Sequence, residues 1–165
     1  MAHDDTTRRT FLRHAGGSIA GAVMAAAWAR PSAAATGFAV SHSDAQWRAL
    51  LDPVAYAVLR QAATERAFSS PLNDEHRAGV FACRGCAQPL FASGAKFDSG
   101  TGWPSFTAPL PGAIGIRRDS SLGMVRVEVH CRRCGGHLGH VFDDGPAPTG
   151  KRYCMNGVAM TFRPA

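Results

Sequence analysis

Two Cys-x-x-Cys pairs constrain this chain more than any other feature. Cys83 and Cys86 lie within Val80-Phe81-Ala82-Cys83-Arg84-Gly85-Cys86-Ala87, and Cys131 and Cys134 within Val129-His130-Cys131-Arg132-Arg133-Cys134-Gly135-Gly136. Each pair has a β-like approach and small residues after its second cysteine. That spacing lets a tight turn aim two sulfurs at one ion about 2.3 Å away, and two such turns complete a tetrahedral zinc site of four thiolates. The rivals are two disulfides or a redox-active pair. A redox pair usually opens a helix, whereas these follow strand-like segments. His137 and His140 come next in sequence, so six candidate ligands compete for four places. A site of two cysteines and two histidines built from the second cluster would strand Cys83 and Cys86. That favours the four-cysteine site, with both histidines free for acid–base work. Cys154 is left over. A thiol near Arg152 is a candidate nucleophile, because a cation favours the thiolate; a buried cysteine acting as a small hydrophobe is the plainer alternative.

The net charge of +6 invites an anionic partner, but it shrinks on inspection. Arg8, Arg9, Arg13 and Arg30 against Asp4 and Asp5 place two of those charges in the first 35 residues. Four thiolates on one Zn²⁺ would carry about −2 as a unit. What remains is mildly basic, which is weak support for nucleic acid. Eighteen glycines and ten prolines point to many turns and short strands rather than a helical bundle.

Residues 1–35 read as an export signal, and residues 36–165 as one mature domain. Thr7-Arg8-Arg9-Thr10-Phe11-Leu12-Arg13 resembles the twin-arginine consensus, a weakly apolar run follows from Ala15 to Ala29, and Ala33-x-Ala35 suits signal peptidase. The run falls short of the about 20 residues that a spanning helix needs. The expectation is a periplasmic or exported, monomeric protein without a stable membrane anchor. The twin-arginine route carries folded cargo, so the metal site would fill before its thiols met an oxidising compartment.

In the mature part, Ser43 or Asp44 can cap a helical turn through Ala45–Leu51. Asp52-Pro53 then signals a second helix from Val54 to about Ala63, with an apolar face on Val54, Ala57, Val58, Tyr56 and Leu59. Strand-sized pieces follow at Gly79–Ala82, Pro89–Phe91, Lys96–Asp98, Met124–Val129 and Ala159–Phe162, and Met124–Val129 alternates as a half-buried strand does. No βαβ rhythm appears. The fold expected is mainly β, a small antiparallel domain with N-terminal helices.

Three further stretches now align with the cysteine pairs: Lys96-Phe97-Asp98-Ser99-Gly100-Thr101-Gly102-Trp103-Pro104-Ser105-Phe106, His137-Leu138-Gly139-His140-Val141-Phe142-Asp143-Asp144-Gly145-Pro146, and Arg152-Tyr153-Cys154-Met155-Asn156. Together with Thr64-Glu65 and Phe68–Asn73 they resemble the type B methionine sulfoxide reductases over residues 45–163. The resemblance implies two small antiparallel sheets with N-terminal helices and one structural zinc on Cys83, Cys86, Cys131 and Cys134. It implies thiol-dependent reduction of methionine-R-sulfoxide, free or in oxidised proteins, by an enzyme recycled by a thioredoxin-like or other thiol. Cys154 would attack the sulfoxide sulfur and become a sulfenic acid. His137, His140 and one of Asp143 and Asp144, with Asp144 preferred, would manage protons. Arg152 would favour the thiolate, Asn156 would hydrogen-bond it or the substrate, and Trp103 and Phe142 would wall the methyl group.

Two departures qualify the match. Thr101 stands where many members have a resolving cysteine, so either an external thiol acts on Cys154 directly or a zinc cysteine is sacrificed; the first is preferred, since the second would dismantle a folding site. Gly157 stands where members usually have serine. Two other readings compete. One is a zinc-ribbon module gripping nucleic acid through Arg84, Arg132 and Arg133. The other is a thiol–disulfide oxidoreductase working on Cys83 and Cys86.

Overall fold

The structure, a computed structural model, describes residues 37–165. The expected export signal over residues 1–35 lies outside them. Two short helices open the described chain. Helix α1 (Asp44–Leu50) begins with a capping box in which Ser43 Oγ accepts from the N–H of Gln46 and Gln46 Oε1 accepts from that of Ser43. Helix α2 (Pro53–Gln61) starts as its Asp-Pro signal implies: Asp52 Oδ1 accepts from the N–H groups of Val54 and Ala55 at 3.1 and 2.9 Å. Its buried face is Ala55, Tyr56, Val58 and Leu59, whereas Val54, expected inside, is 56% exposed. No helix among the described residues is long and apolar enough to cross a membrane.

Nine strands follow, all paired antiparallel. They are β1 (Gly79–Cys83), β2 (Pro89–Ala92), β3 (Lys96–Phe97), β4 (Ser105–Phe106), β5 (Ile114–Asp119), β6 (Arg126–Cys131), β7 (His137–Phe142), β8 (Arg152–Met155) and β9 (Met160–Pro164). One sheet has the order β2-β1-β9, and the other β3-β4-β8-β7-β6-β5. The expected mainly β fold with two antiparallel sheets and N-terminal helices is what the chain adopts. The core joins the sheets through aromatic rings. Phe106 of β4 stacks on Phe91 of β2 with centroids 4.3 Å apart and meets Phe81 of β1 edge-on at 5.0 Å. Leu138, Met155, Met160 and Val129 complete it, all fully buried.

The strand expected at Met124–Val129 begins later, at Arg126, leaving Met124 and Val125 outside it and exposed. The expected alternation is kept only at its end: Val129 is fully buried, but Val127 on the same face is 38% exposed. On the other face Glu128 is buried as well, because a polar network covers it. Strand β4 is two residues long, and β5, β7 and β8 carry too many glycines and charges to alternate cleanly. Gly139 in β7 is required by close approach: a Cβ there would stand 2.1 Å from the Cys154 carbonyl oxygen on β8.

The helices cover the two cysteine turns. Leu59, 2% exposed, lies against both, and a Cβ on Gly136 would meet its Cδ2 at 2.8 Å. Leu59→Ala should therefore leave a cavity over both turns and cost about 2–5 kcal/mol, read by urea or thermal unfolding. Leu59→Met should cost less than about 1.5 kcal/mol.

Candidate active site

The four paired cysteines converge. The turns after β1 and β6 have the same hydrogen bonds: each first cysteine receives the N–H four residues on, Ala87 to Cys83 and Gly135 to Cys131, both at 2.8 Å. The four sulfurs lie within 4.8 Å of one another, with Cys83 to Cys134 at 3.7 Å and Cys86 to Cys131 at 3.5 Å. A tetrahedron with bonds of about 2.3 Å has sulfur–sulfur edges of about 3.8 Å, so the cluster has the size of a four-thiolate metal site. His137 and His140 are not among the clustered groups. Of the arginines that a nucleic-acid module would use, Arg84 pairs with Asp52 at 2.9 Å and Arg133 donates to the Cys86 carbonyl at 3.2 Å. Their commitment to the fold disfavours that reading.

Cys154 is not in the cluster. It sits half-buried in β8, its Cα opposite His140 of β7 on one side and Ser105 of β4 on the other. It lines a pocket of about 150 Å³ with Trp103, Phe142, His140, Asn156, Arg126 and Thr64. Trp103 and Phe142 are the apolar walls that the sequence pointed to. The Trp103 indole donates from Nε1 to the Glu65 carbonyl at 3.1 Å, which fixes its plane.

His140 is held from behind: its Nε2 lies 2.8 Å from Asp119 Oδ2. In the neutral ring Nε2 then carries the proton and donates to Asp119, leaving Nδ1 as the acceptor. Ser121 first and His140 after it keep the Asp119 carboxyl well below the usual carboxylate range. His137 is different. It is 3% exposed, its Nδ1 lies 2.8 Å from Glu128 Oε1, and its Nε2 has no protein partner. Burial lowers its pKa, with Glu128 working against that. Burial pushes Glu128 up, yet Arg117 and His137 together hold it below its ordinary value. His137 does not line the Cys154 pocket. It stands behind His140, with ring centroids 5.4 Å apart.

Arg152 is clamped by Asp144 through two bonds of 2.9 and 2.8 Å, and its guanidinium lies over Phe142 at 4.5 Å. Asp144 first, with a smaller contribution from Cys154, raises its pKa. Of the acidic pair, Asp144 thus holds Arg152, while Asp143 pairs with exposed Lys151. Neither aspartate lines the Cys154 pocket.

Asn156 lines the Cys154 pocket and is also bound into the frame around it. Its Nδ2 donates to the Leu138 carbonyl at 3.0 Å and its Oδ1 accepts from the Glu65 N–H at 2.9 Å. It is 3% exposed and is spent mainly on joining β7, β8 and the segment after α2. Glu65 completes the frame: its carboxylate accepts from the N–H groups of Gly157 and Val158, the latter at 2.9 Å. Burial raises the Glu65 pKa, and those two N–H groups limit the rise. Sequence reasoning passed over Glu65, Asp119, Arg126 and Glu128 as site residues. Glu65 was quoted in a motif, but nothing local marks a glutamate as a backbone acceptor for a turn some ninety residues on.

Gly157 also has its reason. A Cβ there would stand 2.0 Å from Ser70 Oγ and 2.5 Å from Ser70 Cβ. Ser70 caps the turn at Pro71–Asp74 by accepting from the Leu72 N–H at 3.2 Å. Its side chain fills the space that a serine at 157 would need.

The sequence model of the SelR domain matches residues 51–164. Curated relatives carry the name peptide methionine sulfoxide reductase MsrB. The one from Bradyrhizobium diazoefficiens is 56% identical over 126 residues, covering 76% of this chain and 91% of the relative. That from Agrobacterium fabrum is 53% identical over 126 residues, 76% of this chain and 93% of its own. A relative from Methanosarcina barkeri is 52% identical over 126 residues, 76% of this chain and 89% of its own.

The contact between positions 70 and 157 makes a double-mutant test. Gly157→Ser alone should destabilise by about 1–3 kcal/mol through overpacking. In a Ser70→Gly background the same change should cost at least about 1 kcal/mol less, read from urea midpoints.

Proposed function

The chain belongs to the SelR-domain family of peptide methionine sulfoxide reductases and reduces methionine sulfoxide, and we propose that it does so with Cys154 as nucleophile, His140 as acid and the R epimer as substrate. One observation carries this reading: the single thiol outside the cysteine cluster opens into an apolar-walled pocket directly across from a histidine whose ring is pinned from behind.

Methionine sulfoxide offers an electrophilic sulfur, a basic oxygen and an apolar methyl group. The methyl packs between Trp103 and Phe142, which places the sulfur before Cys154 Sγ. The thiolate bonds to the substrate sulfur while a proton from protonated His140 neutralises the oxygen, and the adduct then passes its hydroxyl to Cys154 Sγ as its sulfur–sulfur and substrate sulfur–oxygen bonds break and methionine leaves. Cys154 is oxidised by two electrons to sulfenic acid, and the substrate is reduced by two electrons to methionine. Arg152, with its charge fixed beside Asp144, favours the attacking thiolate. An external thiol then attacks the sulfenic sulfur, releasing water and leaving a mixed disulfide. A second thiol completes the disulfide and frees Cys154. Thr101 offers no sulfur for an intramolecular alternative, and the other four cysteines belong to the cluster.

Zinc is the ion proposed for that cluster, where it would fasten the two turns and take no part in the chemistry. The twin-arginine motif at Arg8-Arg9 supports export to the periplasm, and a thioredoxin-like protein or small dithiol there would act as reductant.

Sulfoxide consumption with dithiothreitol, measured on each epimer separately, tests the proposal. Turnover of the R epimer that Cys154→Ser abolishes is the expected result. Reduction of the S epimer alone, or an active Cys154→Ser enzyme, would overturn it. Elemental analysis should find one zinc per chain. Cys131→Ser should lose the metal and most of the cooperative unfolding transition, since folding and metal binding are coupled.

A further inference from the structure

Beside Cys154 runs a row of three hydroxyls that the reaction above does not use. Thr101 Oγ1 lies 3.8 Å from Cys154 Sγ, and Ser99 Oγ lies 2.8 Å from Thr101 Oγ1. Ser105 Oγ is 2.8 Å from Ser99 Oγ and 3.2 Å from the Trp103 carbonyl oxygen. The row can be given a direction. A carbonyl oxygen has no proton, so Ser105 donates to it. Each hydroxyl has one proton. With that of Ser105 spent, Ser99 donates to Ser105, and Thr101 in turn donates to Ser99. The last contact can then be filled only by the S–H of Cys154 donating to Thr101. Arranged this way, every bond in the row is made, and Cys154 is the thiol.

A thiolate can only accept. We propose that the row reverses when Cys154 loses its proton, so that Thr101 Oγ1 becomes the hydrogen-bond donor to the reactive sulfur and Ser99 and Ser105 act as positioning residues behind it. Ser105 then donates to Ser99, Ser99 to Thr101, and Thr101 to the sulfur. Each hydroxyl turns about its own C–O bond, no proton moves between oxygens, and the thiol proton leaves to solvent. The exchange gives up the bond from Ser105 to the Trp103 carbonyl, the longest of the oxygen–oxygen contacts in the row. It gains a bond to a full negative charge, which is stronger than one to a neutral acceptor. Ser105 is fully buried and paired with Cys154 across β4 and β8, so water has no access to replace it. At the other end, the Thr101 N–H reaches Ser99 Oγ at 3.4 Å and the Gly100 N–H donates to Asp98 Oδ1 at 2.8 Å, fixing the loop. Thr101, at the place of a resolving cysteine in many relatives, thus has a function of its own: it holds the nucleophile in the state that attacks.

The inference rests on Cys154 as nucleophile, but its test reads the thiol itself and not sulfoxide reduction. Charged groups around the sulfur are His140 on β7 with Asp119 of β5 behind it, Arg126 on β6, and Arg152 on β8 with Asp144. All are retained in the variants, so a difference between variants isolates the hydroxyl. The rate of iodoacetamide alkylation at Cys154 is followed against pH by mass spectrometry of the peptide that contains it, using the full metal-loaded chain. In Thr101→Val the midpoint of that profile should move up by about one pH unit, making alkylation about tenfold slower on its acid side. Thr101→Ser, which keeps the donor, should return to within about 0.3 unit of the parent. Thermal unfolding checks that each variant is folded, and Thr101→Ala replaces the valine variant if that one is not. An unchanged midpoint without the hydroxyl, or a serine variant displaced as far as the valine one, would overturn the proposal.

Discussion

Four sulfur atoms within 4.8 Å of one another join the ends of two strands from different sheets, and the placement of the site follows from that junction. Cys83 ends β1 of the three-stranded sheet and Cys131 ends β6 of the six-stranded one. The same two strands border what the chemistry needs. β9 pairs with β1 and continues directly from the turn that receives Glu65, while β7 pairs with β6 and carries both histidines. Four buried or half-buried sulfurs crowded together suit a divalent cation, which accepts four thiolates at once.

The helices show how local and long-range information combine. Each start was legible, because Ser43 and Asp52 act through atoms only two or three residues away. The buried face of α2 was legible less well. Val54 is apolar and in phase, but the surface it would meet does not extend that far, and Ala55 takes the inner position. The strands carrying the site were hidden for a related reason. His137–Phe142 and Arg152–Met155 hold residues chosen for chemistry, so their alternation is broken, and only their motifs drew attention. The cysteine cluster could be read from residue type and spacing and Cys154 singled out as the thiol left over, whereas Trp103 and Phe142 came with the family resemblance. The carboxylates behind them could not, since Asp119 and Glu128 owe their significance to register: Glu128 faces His140 across β6 and β7, and Asp119 comes from the next strand out.

Asn156 shows how a residue on the pocket wall can also serve the frame. In the fold it binds a carbonyl on β7 and an N–H after α2, which places the Cys154 strand against both. Glu65 works on the same principle with a carboxylate. Buried polar groups are costly unless satisfied, and once satisfied they define one geometry. The site is therefore positioned by groups that never need to touch the substrate: Glu65 for the backbone at Gly157 and for Trp103, Asp119 for His140, and Asp144 for Arg152.

That division of labour bears on how Cys154, as the proposed nucleophile, can serve alone. A nucleophile recycled from outside must remain reachable after oxidation, so its pocket cannot close as a buried pair of thiols would allow. Cys154 is half-buried, with its pocket mouth bounded by Trp103 and Phe142. An open mouth admits water, which weakens electrostatic support for a thiolate by screening. The interactions that resist this weakening have fixed partners of their own. Ser105, behind Ser99 and Thr101, is fully buried, and Arg152 is held by Asp144. In the proposed reaction the pocket is thereby left to the two reactants that must come and go, the sulfoxide and the reducing thiol, while Thr101, which does not line that pocket, holds the sulfur from another side.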